Sequence, residues 1–198
     1  FGSFVHDVLE HVVRAAQENG GFAAMTDGEI SALTERCMDA CMGTYLPQGE
    51  AAASRERYLS ARNRQEAAAV VMDVARELRL SQFAPAAEEL RFAPGGPLPP
   101  IEYRAKSGSG LLTGQIDRVD IYEADGTRYF RIIDYKTGHK DFDYAELLYG
   151  KNLQMLLYLF ALESYQKQTG QPMQPAGVLY VPGRCDMVKL KPGEDPAH

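Results

Sequence analysis

Gly114-Gln115-Ile116-Asp117-Arg118-Val119-Asp120-Ile121-Tyr122-Glu123-Ala124-Asp125-Gly126-Thr127-Arg128-Tyr129-Phe130-Arg131-Ile132-Ile133-Asp134-Tyr135-Lys136-Thr137-Gly138 is the stretch that decides the fold. It is rich in Ile, Val, Tyr and Phe, residues that suit a pleated, half-buried surface. Asp125-Gly126 is a strong hairpin signal. The stretch predicts strands over Leu111–Tyr122 and Arg128–Lys136. With Asp125 and Gly126 as a two-residue loop, Ala124 faces Thr127. Counting outward along both strands, Asp117 then faces Asp134. Side chains alternate, so Lys136 shares a face with Asp134. Two carboxylates and one ammonium thus converge on one patch. A slip of one residue would separate them.

Opposed carboxylates repel unless one takes a proton or a cation lies between them. Ile116, Val119, Ile132 and Ile133 imply partial burial, which sharpens that cost. A hard divalent ion would relieve it through oxygen ligands. Such an ion can activate water and polarise a phosphoryl oxygen. Lys136 could orient that water or stabilise developing charge. The plain alternative is a surface salt-bridge cluster on a hairpin.

Around the hairpin the chain reads as helices, then a sheet, then a helix and a strand. Val5, Val8, Leu9, Val12 and Ala16 follow a helical period, stopped by Gly20-Gly21. A second helix is expected over Glu29–Met42, capped by Thr26 or Asp27. A third is expected from about Ala51 to Leu80, partly irregular because its apolar pattern is less clean. Glu88–Phe92 and Ile101–Ala105 read as strands, separated by a Pro- and Gly-rich link. Ser107-Gly108-Ser109-Gly110 reads as a turn. A long helix is expected over Tyr144–Gln168, ended by Gly170, then a strand over Ala176–Val181 with Met187–Leu190 as its partner. The tail from Lys191 reads as disordered. The result is an α/β chain with a mixed central sheet flanked by helices.

The 198 residues carry 21 basic and 27 acidic side chains, a net charge of −6. That is a poor match to a protein that coats nucleic acid. It leaves room for an enzyme acting on nucleic acid, whose metal-holding carboxylates are themselves acidic. No apolar run approaches the roughly 18 residues of a membrane span. The first turn carries His6, Asp7 and Glu10 instead of a basic signal-peptide start. Because the chain begins at Phe1, it is expected to be a piece of a longer protein. Three cysteines, Cys37, Cys41 and Cys185, do not make a secreted disulfide framework. Cys37 and Cys41, four apart, either share a metal on one helix face or are small buried residues.

The quoted stretch resembles the RecB-like branch of the PD-(D/E)XK nucleases, which reads roughly G-x-x-D-R-[VI]-D and then [IV]-[IV]-D-[YF]-K-[TS]-G. Two further blocks fit in the same order. Gly2–Glu10 resembles the family's helix with a metal-binding histidine. Gln154-Met155-Leu156-Leu157-Tyr158 matches its Q-x-x-x-Y block. Together the blocks span positions 2 to 158, and within the family the AddB-type domains of bacterial helicase–nucleases are nearest.

The resemblance implies one restriction-endonuclease-like domain over 1–198, with a helical segment at 1–80 and a nuclease core at 86–190. It implies that Asp117, Asp134, His6 and the Tyr135 carbonyl hold Mg²⁺, with Mn²⁺ as a substitute, and that Lys136 is the catalytic lysine. Gln154 and Tyr158 would lie near nucleic acid and the site. Glu89 resembles an acidic position on the first core strand, with Glu88 competing. Glu10 would hydrogen-bond the imidazole of His6. The implied activity is hydrolysis of DNA, from an end, beside a helicase domain or partner subunit in the bacterial cytoplasm and in DNA repair. AddB-type domains often hold a four-cysteine iron–sulfur cluster, but no cysteine precedes His6 and only Cys185 lies late. That cluster is not expected within these residues. Two competing readings remain: an inactive nuclease-fold module that binds DNA or scaffolds a complex, and an unrelated metal-binding hairpin.

Overall fold

The computed structural model describes residues 2–45, 54–138, 145, 146, 149, 153–170 and 172–183. Three helices come first: α1 (Gly2–Glu18), α2 (Asp27–Tyr45) and α3 (Ser54–Leu80). Strands β1 (Ala84–Phe92), β2 (Ile101–Ala105), β3 (Gly108–Leu112), β4 (Gly114–Ala124) and β5 (Thr127–Lys136) follow. Helix α4 (Gln154–Thr169) and strand β6 (Gln174–Pro182) complete the described fold.

Local signals explain most of these bounds. The expected apolar stripe of α1 is buried, with Val5, Val8, Val12 and Ala16 fully enclosed. Gly20 and Gly21 end that helix at φ of 86° and 82°, where a side chain would strain. Thr26 and Glu29 form a capping box at the start of α2. The Thr26 N–H donates to Glu29 Oε2 at 2.8 Å, and the Glu29 N–H donates to Thr26 Oγ1 at 3.3 Å.

Four strands make a mixed sheet in the order β1-β4-β5-β6. Its first three strands are antiparallel, and β6 joins β5 in parallel. Helices α1 to α3 build one apolar core against Ile133 and Tyr135 of β5. Helix α4 builds the other against Ile116, Val119, Phe130 and Ile132. Strands β2 and β3 form a separate two-stranded ribbon.

Several expectations need correction. Leu111–Tyr122 is not one strand: Thr113 divides β3 from β4, which lie in different sheets. The expected turn at Ser107–Gly110 is shorter, since Gly108 already pairs with Ala105 in a ribbon whose glycine sits at φ 149°. Helix α3 is continuous from Ser54, because tertiary packing of Val70, Val71, Val74 and Ala75 outweighs its weak pattern. The expected helix over Tyr144–Gln168 is interrupted: Ala145 and Glu146 are helical, Tyr149 and Leu153 are in turns, and a helix runs from Gln154; Tyr144 and the other residues of 147–152 lie outside the described residues. The expected strand Met187–Leu190, Cys185 and the tail from Lys191 lie outside the described residues.

Candidate active site

The hairpin has the expected register. Ala124 pairs with Thr127, and the ladder runs without a slip to Arg118–Ile133. Asp125 and Gly126 have φ of 50° and 72°, the two left-handed residues of a type I′ loop. One step beyond Arg118–Ile133 the ladder stops. Strand β4 stays paired to β1 down to Gly114 but no longer to β5. Asp117 and Asp134 therefore sit at the mouth of a parting pair of strands.

The parting frees one set of backbone groups. In an antiparallel pair, every second residue exchanges both its N–H and its C=O with the neighbour. The hairpin phase makes Tyr135 the next such residue after Ile133, but no β4 backbone meets it. Its N–H donates instead to Asp117 Oδ2 at 2.7 Å. Its carbonyl oxygen accepts from His6 Nε2 at 2.9 Å. His6 Nδ1 lies 3.5 Å from Asp117 Oδ2.

Helix α1 delivers His6 to this point. Its apolar stripe packs into the core that holds Tyr135. Its first residue docks on the end of β5: a Cβ on Gly2 would lie 3.1 Å from Thr137 Oγ1. The imidazole, flanking the stripe, then meets the Tyr135 backbone and stands edge-on to its ring.

Glu89 completes the group. On β1 it falls between the pairs Glu88–Arg118 and Leu90–Ile116, and so opposite Asp117. Ligand atoms of His6, Glu89 and Asp117 lie within 4.8 Å of one another. Glu89 has a φ of 49°, rare for a residue with a side chain, and such strain concentrates at functional sites. Burial pushes its carboxyl up to about 7, helped by Asp117, Glu10 and Asp7 and opposed by Arg14. Burial also pushes the Asp117 carboxyl up, and Asp134 adds to this, while His6, the Tyr135 N–H and Lys136 pull it down.

Asp134 stands on the other side of the mouth, 1 % exposed. It shares the α4 face of β5 with Lys136, whose Nζ lies 2.5 Å from Asp134 Oδ2. The Lys136 ammonium is thus the partner of this buried carboxylate oxygen. Lys136 also donates to Gln154 Oε1 at 3.1 Å. The Gln154 amide donates to the Tyr158 hydroxyl, which reaches Asp134 Oδ1 at 3.5 Å. Gln154 and Tyr158, one turn apart on α4, thus close a ring of contacts around Asp134 and Lys136.

The donor set fits a hard divalent ion. Adjacent ligands of an octahedral Mg²⁺, each at about 2.1 Å, stand roughly 3.0 Å apart. The 2.9 Å between His6 Nε2 and the Tyr135 oxygen matches that spacing. Carboxylates whose acidity is weakened by burial and crowding gain most from a cation.

Of the sequence candidates, the structure joins His6, Asp117, Glu89 and the Tyr135 carbonyl. Asp134, Lys136, Gln154 and Tyr158 form the adjoining group. Glu10 does not reach the imidazole: it pairs with Arg14 at 2.5 Å, and both ring nitrogens of His6 face other groups. Cys37 and Cys41 are small packing residues in the first core, their thiols pushed up by burial. Among the described residues they join no metal-ligating group. A cavity of about 550 Å³ lies at the loop end of the hairpin, lined by Glu123–Arg128, Gly170 and Pro172, far along the strands from these residues.

Sequence reading missed a buried charge network behind the site. Arg118, 1 % exposed, donates from Nε and Nη2 to the two oxygens of fully buried Asp120 at 2.7 and 3.0 Å. Its Nη1 donates to the Tyr135 hydroxyl at 2.5 Å. Arg131 donates to Asp120 Oδ2 at 2.8 Å and pairs with Glu77 of α3. The visible signal was a cation and an anion two apart, Arg118 and Asp120, and so on one face of a strand.

Fold and site define the chain's class: it belongs to the PD-(D/E)XK nuclease superfamily, whose family model matches residues 1–195. It is 36% identical over 182 residues to an ATP-dependent helicase/deoxyribonuclease subunit of Acetivibrio thermocellus, a match covering 90% of this chain and 16% of that protein. The protein of the same name from Ruminiclostridium cellulolyticum is 32% identical over 186 residues, again 90% of this chain and 16% of the relative. That from Oceanobacillus iheyensis is 32% identical over 194 residues, 96% of this chain and 17% of the relative. The chain spans about a sixth of the length of the curated relatives it matches. It is a nuclease-superfamily domain homologous to helicase–nuclease subunits. No helix among the described residues is long and apolar enough to cross a membrane.

Proposed function

We propose that this chain is a single metal-dependent nuclease domain that hydrolyses phosphodiester bonds in DNA, working from an end beside a helicase domain or partner subunit. The observation that carries this reading is the meeting of His6, the Tyr135 carbonyl, Asp117 and Glu89 at the point where β4 and β5 part. The relatives' name, helicase/deoxyribonuclease subunit, supports DNA as substrate and a motor as partner. The same kinship supports a place in cytoplasmic DNA repair.

In this reading His6, Asp117, Asp134 and the Tyr135 carbonyl hold Mg²⁺ or Mn²⁺, with Glu89 as a further ligand or a base for a liganded water. When bound, the ion lowers the pKa of water and polarises a phosphoryl oxygen. The remaining work belongs to side chains. Asp117 fixes the Tyr135 peptide through its N–H, so the carbonyl keeps one direction. Asp134 and Gln154 hold the Lys136 ammonium at the mouth of the strands, where it can donate to the scissile phosphate as negative charge develops. Tyr158 holds Gln154 and limits the motion of Asp134. Asp134 and Tyr158 are buried, which strengthens their part of the ring, while Lys136 and Gln154 face solvent.

The test is a gel assay of labelled single- and double-stranded DNA with Mg²⁺, with Mn²⁺ and with EDTA. Cleavage that needs the ion, and starts from ends, supports the reading. No cleavage by the full-length protein, with partner and metal supplied, would make this an inactive DNA-binding module.

A further inference from the structure

We infer that Arg118 and Asp120 act as positioning residues for the metal-ligand carbonyl of Tyr135, holding it from behind through the phenol. This rests on the reading above, in which that carbonyl is a ligand.

The need arises from the end of the ladder. Up to Ile133, pairing with β4 fixes the direction of each β5 carbonyl on that edge. At Tyr135 that pairing is gone. Asp117 and His6 restrain the peptide from the front. An ion would engage His6 directly, and Asp117 would share its carboxylate between the ion and the Tyr135 N–H, so the restraint from the front changes when the ion binds. The phenol provides the third restraint. Its hydroxyl accepts from Arg118 Nη1, and the guanidinium stands 5.6 Å over the ring.

Arg118 is rigid for a physical reason. Asp120 takes two of its hydrogen bonds in a buried, bidentate pair. Arg131 fastens Asp120 in turn, and is itself paired with Glu77 and stacked on Phe83 at 4.9 Å. Two cations and two anions balance, so the group carries no net charge. A buried ion network stabilises a fold poorly against apolar packing of the same volume. Its distinctive product is orientation, and here it orients Tyr135 against the helical segment through Glu77 of α3.

The experiment measures Mn²⁺ binding calorimetrically in the wild type and four variants: His6→Ala, Asp117→Asn, Tyr135→Phe and Arg118→Lys. Tyr135→Phe keeps the ring in its core and removes only the hydroxyl. Arg118→Lys keeps the charge and loses the fork. We expect Mn²⁺ to bind about tenfold more weakly in both, the size seen when an outer support of a metal ligand is lost. In cleavage assays the half-saturating Mn²⁺ concentration should rise by the same factor, with kcat at saturating metal nearly recovered. A merely structural role would lower melting temperature without moving half-saturation. Wild-type Mn²⁺ affinity in a folded Tyr135→Phe, with His6→Ala and Asp117→Asn weakened, overturns the positioning role alone. A wild type that binds no Mn²⁺, or binding that ignores His6→Ala and Asp117→Asn, overturns the metal reading and this inference with it. If Arg118→Lys does not fold, Tyr135→Phe decides.

Discussion

His6 Nε2 stands 2.9 Å from the backbone oxygen of Tyr135, a contact across 129 residues of sequence. It joins the first helix to the β4–β5 hairpin at the carbonyl that the ladder leaves free. A chain that spends a partly buried imidazole on a backbone oxygen has a ready exchange: an ion can replace the shared hydrogen. His6→Ala removes a direct ligand and should therefore weaken Mn²⁺ binding by at least the roughly 10-fold to 100-fold that loss of an outer support causes. Stability should change little, because the apolar stripe beside His6 holds α1 in place. Calorimetric titration and a thermal melt check both halves. Unchanged affinity would exclude His6 as a ligand.

Asp134→Ala should abolish cleavage and leave the fold intact. Removing the carboxylate relieves crowding with Asp117, and Lys136 keeps its hydrogen bond to Gln154. Lys136→Ala should reduce the rate by roughly 10²–10³ through lost stabilisation of developing charge. Both variants should still bind DNA, since most affinity comes from phosphate contacts elsewhere. A labelled-DNA cleavage assay run beside a binding assay tests this. Full cleavage by Asp134→Ala would refute the site.

The metal-free protein should lose stability as pH rises. Glu89 is pushed from the ordinary 4.5 to about 7 in the folded state. Between those values the folded chain binds more protons than the unfolded chain, so unfolding is favoured as pH increases. The contribution is fully present below about 4.5, is lost through about 7 and is flat above. The group is half open to water, so the effect should be a few degrees in melting temperature. Glu89→Gln should flatten the difference across that window, as should saturating Mg²⁺, which favours the charged carboxylate. Melts at several pH values in EDTA measure it. An identical pH profile in Glu89→Gln would contradict the shift.

Gly114→Ala should destabilise by about 1–3 kcal/mol, the usual cost of overpacking. A Cβ at position 114 would come within 2.5 Å of the Phe92 ring on the paired strand. Phe92 stands edge-on to Tyr158, which faces Asp134, so the displaced ring should also slow cleavage. Urea denaturation gives the stability change. A wild-type midpoint would mean the ring moves aside freely.

The hairpin and its register were legible from Asp125-Gly126 alone, because a two-residue loop fixes which residues pair and strand alternation then assigns faces. The buried stripe of α1 and the Thr26–Glu29 cap were legible for the same reason: each depends on residues within one or two turns. That local geometry sufficed to bring Asp117 and Asp134 toward one mouth, with Lys136 beside Asp134. Tertiary structure decided where the β4–β5 ladder ends, and so which carbonyl is free. It decided that Glu89 and not Glu88 enters the group, by a left-handed backbone angle that no residue type announces. It placed Tyr149 and Leu153 in turns before the helix from Gln154, and it turned Glu10 to Arg14. Arg118 and Asp120 had no role beyond the motif in the sequence, and burial paired them. Each of these outcomes depends on segments far apart in sequence packing together, and the energy of such packing resides in no single stretch of chain.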